Sequence, residues 1–248
     1  MAWSQRTRKA VIWRFMELWK LKDLVTTGEL HFCRADLFDD ESEGLPPDEY
    51  IHVLGLHPFD LQGLNNHLGS LAQDREGFFI NCWYLFTDET AAMWKQYGKE
   101  GVAICSRYNL FKSVLDSCAG RPHLGLVRYG SKHLTGWNTQ RFITTKKEKY
   151  AHEQEVRALL WVPDEFAGGN RHFDENNIAH ARPLTAPPDR VPKFLRRKAD
   201  LARLITEIVV SPWAAETTLA EIKHLITHNG YSIPVRASDL TRFKALLP

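Results

Sequence analysis

Long apolar runs are what this chain most plainly lacks. No stretch reaches the ~20 consecutive apolar residues that a bilayer-spanning helix needs. The apolar segment at residues 10–13 is cut short by Arg14, so the basic N-terminus has no region of signal-peptide length, and a cytoplasmic setting is expected. Charge of one sign is missing too. The 32 Lys and Arg face 30 Asp and Glu, a formal net charge of +2, so any attraction to nucleic acid or membrane must come from a local patch. Cysteine is scarce: Cys33, Cys82, Cys105 and Cys118 form no Cys-x-x-Cys, and each lies in or beside an apolar run. Buried free thiols in a reducing compartment fit this better than a zinc site or a disulfide framework. Repeats and low-complexity tracts are absent as well.

What is present suits a globular protein. The 248 residues are 44% hydrophobic and 11% aromatic, ample for a sizeable core. Residues 9–15 read as a strand holding one charge, Arg14. Leu18, Leu21, Leu24 and Val25 follow at helical spacing up to Gly28, a helix stop, and 29–33 alternates as a second strand. Residues 34–44 form a charged turn. The run 78–86 is apolar at nearly every position and aromatic-rich, which predicts a central strand. A helix capped by Thr87 or Asp88 then carries Met93, Trp94 and Tyr97. Further strands are expected at 101–105, 124–129, 158–162 and 208–212, with helices at 109–118 and 216–229. An edge strand is expected at 232–236, since Pro234 cannot serve a central one. Residues 164–197 read as a loop or lid, and Arg196-Arg197-Lys198 as a solvated helix face. The mixture predicts a single α+β domain over 1–248, with its core at about 9–240. Its central sheet is mixed, mainly antiparallel and flanked by helices.

One stretch organises the rest. In an extended chain Glu153, Glu155 and Arg157 share one face with Leu159. The apolar end of that strand implies burial, and buried carboxylates are costly unless paired or given work. The pattern is therefore a structural salt-bridge strip or the wall of an active site.

Several pieces resemble the bacterial family called domain of unknown function 2971. They are Trp13-Arg14-Phe15, Thr27-Gly28-Glu29-Leu30, residues 32–40 with Glu43-Gly44, Asn81-Cys82-Trp83, Met93-Trp94 with Tyr97, residues 100–102, residues 152–157 and residues 207–212. The family name implies no activity. A strand with a lone basic residue, a second with a small polar residue and an aromatic, and a third with Glu-x-Glu are similar to the three-strand signature of ADP-ribosyltransferases. That likeness implies NAD as substrate, with Arg14 holding its ribose or phosphates, Cys82 and Trp83 supporting the nicotinamide pocket, and Glu155 stabilising the cationic transition state. Glu153 orients an acceptor, which is a protein or a nucleic acid. Arg34, Trp94, Tyr97 and Arg157 complete the nucleotide-binding set. The residue types fit the chemistry, because a cationic nicotinamide leaves without an acid but needs a carboxylate near the developing charge. The implied setting is a toxin or a phage-defence effector.

Two other readings stay open. Glu155-Val-Arg157 also fits one strand of a metal-dependent nuclease, with Asp36 or Asp39 as a further ligand. A non-catalytic nucleotide- or protein-binding module would use the same cleft. Each residue also has a plainer role: Arg14 as an ion-pair partner of Glu153 or Glu155, Trp83, Trp94 and Tyr97 as core, and Arg34 paired to Asp36.

Overall fold

The chain begins with strand β1 (Val11–Met16), helix α1 (Leu18–Thr27) and strand β2 (Glu29–Arg34). Helix α1 buries Leu21, Leu24 and Val25, and it ends where Gly28 turns left-handed at φ 66° and donates its N–H to the Leu24 carbonyl. Next come β3 (Phe78–Leu85), α2 (Ala91–Tyr97), β4 (Val102–Arg107) and α3 (Tyr108–Leu115). The N-cap of α2 is Thr90, not Thr87 or Asp88; its hydroxyl accepts from the Met93 N–H at 3.2 Å. Then follow β5 (His123–Leu126), β6 (Arg128–Tyr129), α4 (Thr139–Ile143), β7 (Thr145–Lys146), a 3-10 helix at Glu148–Glu153 and β8 (Glu155–Trp161). A short ribbon, β9 (His172–Phe173) with β10 (Ala179–His180), precedes β11 (Phe194–Lys198), α5 (Leu201–Leu204), β12 (Glu207–Val210), α6 (Thr218–His228) and β13 (Val235–Ala237). These elements come from a computed structural model, which describes residues 9–38, 44–46, 75–135, 138–162, 172–173, 179–180 and 192–246.

Among the described residues nine strands make one mixed, mainly antiparallel sheet with helices on both faces, an α+β fold. Only β12 and β13 in it run parallel. Strand β3 is the hub. Along one edge it pairs with β8 from Phe78 to Tyr84, and β5 continues the sheet beyond β8. Its other edge is shared by two strands. Ile80 and Phe79 pair with Cys33 and Arg34 of β2, whereas Tyr84 and Leu85 pair with Trp13 and Ile12 of β1. The sheet therefore forks at 81–83 into a β2–β11 wing and a β1–β4–β12–β13 wing.

Asn81 closes the apex of that fork. Its side-chain amide donates to the His31 carbonyl at 2.7 Å, and its Oδ1 accepts from the Trp83 indole at 2.6 Å. A buried carbonyl that has lost its ladder partner needs such a substitute. On one side of the sheet Trp83, Phe79, Phe32 and Ile104 pack with α1, α3 and α6. On the other, Trp13, Phe15, Tyr84 and Met93 pack with Trp94. Fully burying such large apolar side chains stabilises the fold by about 1.5–3 kcal/mol each.

Two expectations need correcting. Residues 194–198 belong neither to a loop nor to a helix face but form an edge strand paired along β2 from Glu29 to Cys33. Arg196 pairs with Asp23 at 3.3 Å, and Lys198 with Glu29 at 3.4 Å, so acids of α1 and β2 neutralise the basic run. The rest of the expected lid, apart from β9, β10 and 192–193, lies outside the described residues.

Candidate functional site

Glu153 and Glu155 do meet, but not by strand alternation. The 3-10 helix ends at Glu153, Gln154 turns left-handed (φ 45°, ψ 51°), and β8 starts only at Glu155. The Leu85 amide holds this kink by donating to the Gln154 carbonyl at 2.9 Å. A non-glycine residue in this conformation costs roughly 1 kcal/mol, which the surrounding contacts must offset. Its effect is to turn both carboxylates to one lysine. Lys146 Nζ donates to Glu153 at 2.7 Å and to Glu155 at 3.1 Å.

Arg157 clamps the same group from the other side. Its Nε and Nη2 donate to the two Glu155 oxygens at 2.7 and 3.0 Å, and its Nη1 donates to the Ile143 carbonyl. The Phe38 ring lies 5.5 Å from its guanidinium carbon. Exposure is 3% at Glu155, 2% at Glu153 and 1% at Arg157. Two carboxylates therefore face two cations with almost no solvent, where removal of one partner costs about 3–5 kcal/mol. Tyr97 donates to Glu153 at 3.3 Å, and the Tyr129 hydroxyl accepts from the Glu155 N–H at 2.9 Å.

Burial pushes the Glu155 carboxyl above its ordinary 4.5, and Glu153 adds to it, while Lys146 and the Cys82 thiol act in the opposite direction. Burial opposes the Lys146 ammonium, but the two glutamates outweigh it and raise the group above its ordinary 10.5. Burial pushes Arg157 down to about 9, which leaves it charged at neutral pH. Burial and then Glu155 drive the Cys82 thiol well above 9.0.

The sequence-predicted residues fall into four groups. Glu153, Glu155, Arg157 and Tyr97 share the cluster. Arg14 is not part of it: the pleat of β1 sets Arg14 with Ile12 and Met16 opposite Ile104, whereas Glu155 lies opposite Tyr84 on the other side of the sheet, and burial lowers Arg14 from its ordinary 12.5. Among the described residues it forms no ion pair with Glu153 or Glu155. Arg34 is elsewhere. It binds Asp36 at 2.6 Å and sits opposite Phe79, whereas Glu155 sits opposite Tyr84. Five strand residues, about 17 Å, separate those positions, so the set is not one cleft. Trp83 and Trp94 are fully buried, the first against Phe111 and the second bonded to Glu89, and neither offers a ring face to a ligand. Arg157 is buried and engaged as well, and it orients Glu155 rather than meeting a solute. Asp39 lies outside the described residues.

Sequence reasoning missed Lys146 and Tyr129. Lys146 opens a run of charges that reads as a solvated helix end, and only the parallel pairing of β6 with β7, which sets Tyr129 opposite Lys146, carries it inward. Among the described residues no group of three or more His, Cys, Asp or Glu could hold a metal ion, and no helix is long and apolar enough to cross a membrane. Compared with known protein families, with curated proteins and with solved structures, the chain matches none.

Proposed function

We propose that the forked face of β3 binds NAD and that the protein is an ADP-ribosyltransferase-like enzyme. The observation that carries the reading is the buried Glu155 carboxylate, oriented on β8 by Lys146 and Arg157, with Arg14 on β1 along the opposite edge of β3. In this reading Arg14 attracts the ligand's phosphates. Glu155, held in one orientation by Lys146 and Arg157, faces the cation that develops at the nicotinamide ribose. The bond from the ribose C1′ to the nicotinamide nitrogen breaks with its electron pair going to nicotinamide. An acceptor oxygen or nitrogen, or water, bonds to C1′ and releases a proton. Glu153, tied to Lys146 and Tyr97, is the candidate to orient that acceptor, a protein or a nucleic acid. The resemblance to domain of unknown function 2971 extends the proposal to a cytoplasmic toxin or phage-defence effector.

The nuclease reading has less support. Both glutamates already have cationic partners, and Asp36 is held by Arg34 at a distance. A binding module without turnover is the stronger rival, because Glu155 already accepts three hydrogen bonds. The test is nicotinamide release from NAD, with cell lysate supplying acceptors and EDTA present. Wild type should release it, and Glu155→Gln, verified as folded by circular dichroism, should be slower by about 10²–10³. NAD binding without release would leave the module. Neither binding nor release, with Glu155→Gln merely less heat-stable, would leave only a structural ion-pair strip.

A further inference from the structure

The two-residue strands β6 and β7 form a wall with a different chemistry on each side. Tyr129 and Lys146, opposite one another, meet Glu155. The preceding pair, Arg128 and Thr145, alternates to the other side and helps to line a groove of about 680 Å³ between β5 and α4. That volume falls within the roughly 300–1,000 Å³ of small-molecule sites. His123, Arg128, His133 and Arg141 bring positive or protonatable groups to it, and none of its described lining residues is acidic.

Those groups feel one another. His133 is held below its ordinary 6.5 by burial and then by Arg128 and Arg141, and its Nε2 lies 2.9 Å from the Thr145 hydroxyl. Arg141 donates to the Thr135 carbonyl at 3.0 Å. Among the described residues neither Arg128 nor Arg141 pairs with a carboxylate, and both side chains are exposed. Several basic residues elsewhere are answered by acids, Arg196 and Lys198 by Asp23 and Glu29 and Arg236 by Glu89 and Glu207, whereas Arg128 and Arg141 share one concavity. Two guanidiniums around a concavity without a counter-ion favour a multiply charged oxyanion, which arginine binds through paired N–H groups. Leu124, Leu126 and Leu159 supply an apolar floor, and Thr145 and Gln140 supply hydrogen-bonding groups.

We propose that this groove is a phosphate subsite for a nucleotide-sized ligand, separate from the glutamate cluster on the far side of the β6–β7 wall. Two permanent cations match one or two phosphate groups. A polynucleotide track neutralising about 6–10 phosphates would need several more. The proposal does not rest on the transferase reading of Glu155.

The test is calorimetric titration with inorganic pyrophosphate and with ADP, and fluorescence titration with a single-stranded oligonucleotide. Wild type should bind pyrophosphate and ADP. The double change Arg128→Gln and Arg141→Gln should weaken both by about tenfold or more. Lys132→Gln, the loss of one charge at an exposed residue outside the lining, and Glu155→Gln should leave them within about twofold. Circular dichroism checks that each variant is folded; should the double variant unfold, Arg128→Gln alone carries the comparison. Absence of binding by wild type overturns the proposal, as does equal weakening by Lys132→Gln. Loss in Glu155→Gln but not in the arginine variants would place the phosphates at the glutamate cluster. Tighter binding of the oligonucleotide than of ADP, falling steeply with salt, would make the groove a nucleic-acid track instead.

Discussion

Cys82 reports on the charge cluster without any assumption about function. It is partly exposed on β3, and its thiol is raised first by burial and then by the Glu155 carboxylate. Only the thiolate reacts with alkylating agents. Glu155→Gln removes the charge that Cys82 feels most, so the thiol should fall towards 9.0 and its native-state labelling by iodoacetamide at pH 8 should rise about threefold or more. Peptide mass spectrometry can read this against Cys33, the exposed cysteine, as internal reference. An unchanged ratio in a folded variant would mean that Glu155 does not act on the thiol. The same argument bears on Gln154, whose left-handed turn brings the two carboxylates onto one lysine.

The fork of the sheet depends on one side chain. Where β1 and β2 both leave β3, Asn81 bonds the His31 carbonyl and the Trp83 indole. Asn81→Leu keeps roughly the shape but leaves both partners unsatisfied, at a cost of about 2–3 kcal/mol. For a chain of this length the melting temperature should fall by about 5–10 °C in calorimetry. If Asn81→Leu melts with wild type, the fork is held by packing alone. Strand β1 also meets a steric limit near its end: a Cβ at Gly101 would come within 2.1 Å of the Met16 carbonyl oxygen. That close approach explains a glycine at the entry to β4.

Over the whole molecule the buried acidic hydroxyls and thiols share a direction. Burial raises Tyr84 above 10.0, Tyr108 and Tyr129 to about 12, and Cys82, Cys105 and Cys118 above 9.0. A group whose folded value exceeds its unfolded value contributes stability that is complete below the unfolded value and lost as pH rises through the folded one. The window here starts at about 9–10 and extends to about 12. Lys146, raised above 10.5 by the glutamates, loses its contribution in the same sense above that value. Arg157, lowered to about 9, works in the opposite sense over the same interval, but the buried hydroxyls and thiols together with Lys146 outnumber it, so the urea midpoint should be lower at pH 10.5 than at pH 7.5. A midpoint that holds or rises across that interval would mean that these groups are solvated rather than buried.

Much of the fold was legible because its signals are short-range. The apolar run at 78–86 marks a strand buried on both faces, Gly28 marks a helix end, and Pro234 precedes an edge strand. Each depends on a few neighbouring residues and on the alternation or periodicity that they impose. Glu153, Glu155 and Arg157 stood out likewise as charges beside an apolar strand, although a left-handed kink rather than the pleat brings Glu153 to the other two. Tertiary structure alone decided the rest. Lys146 looks the same in sequence whether solvated or clasped between two glutamates. Its burial follows from the pairing of β6 with β7 across the intervening helix α4, which no local pattern encodes. The β2–β11 pairing takes up Arg196 and Lys198, and the divergence of β1 from β2 separates Arg34 from Arg14, both through contacts between residues far apart in the chain.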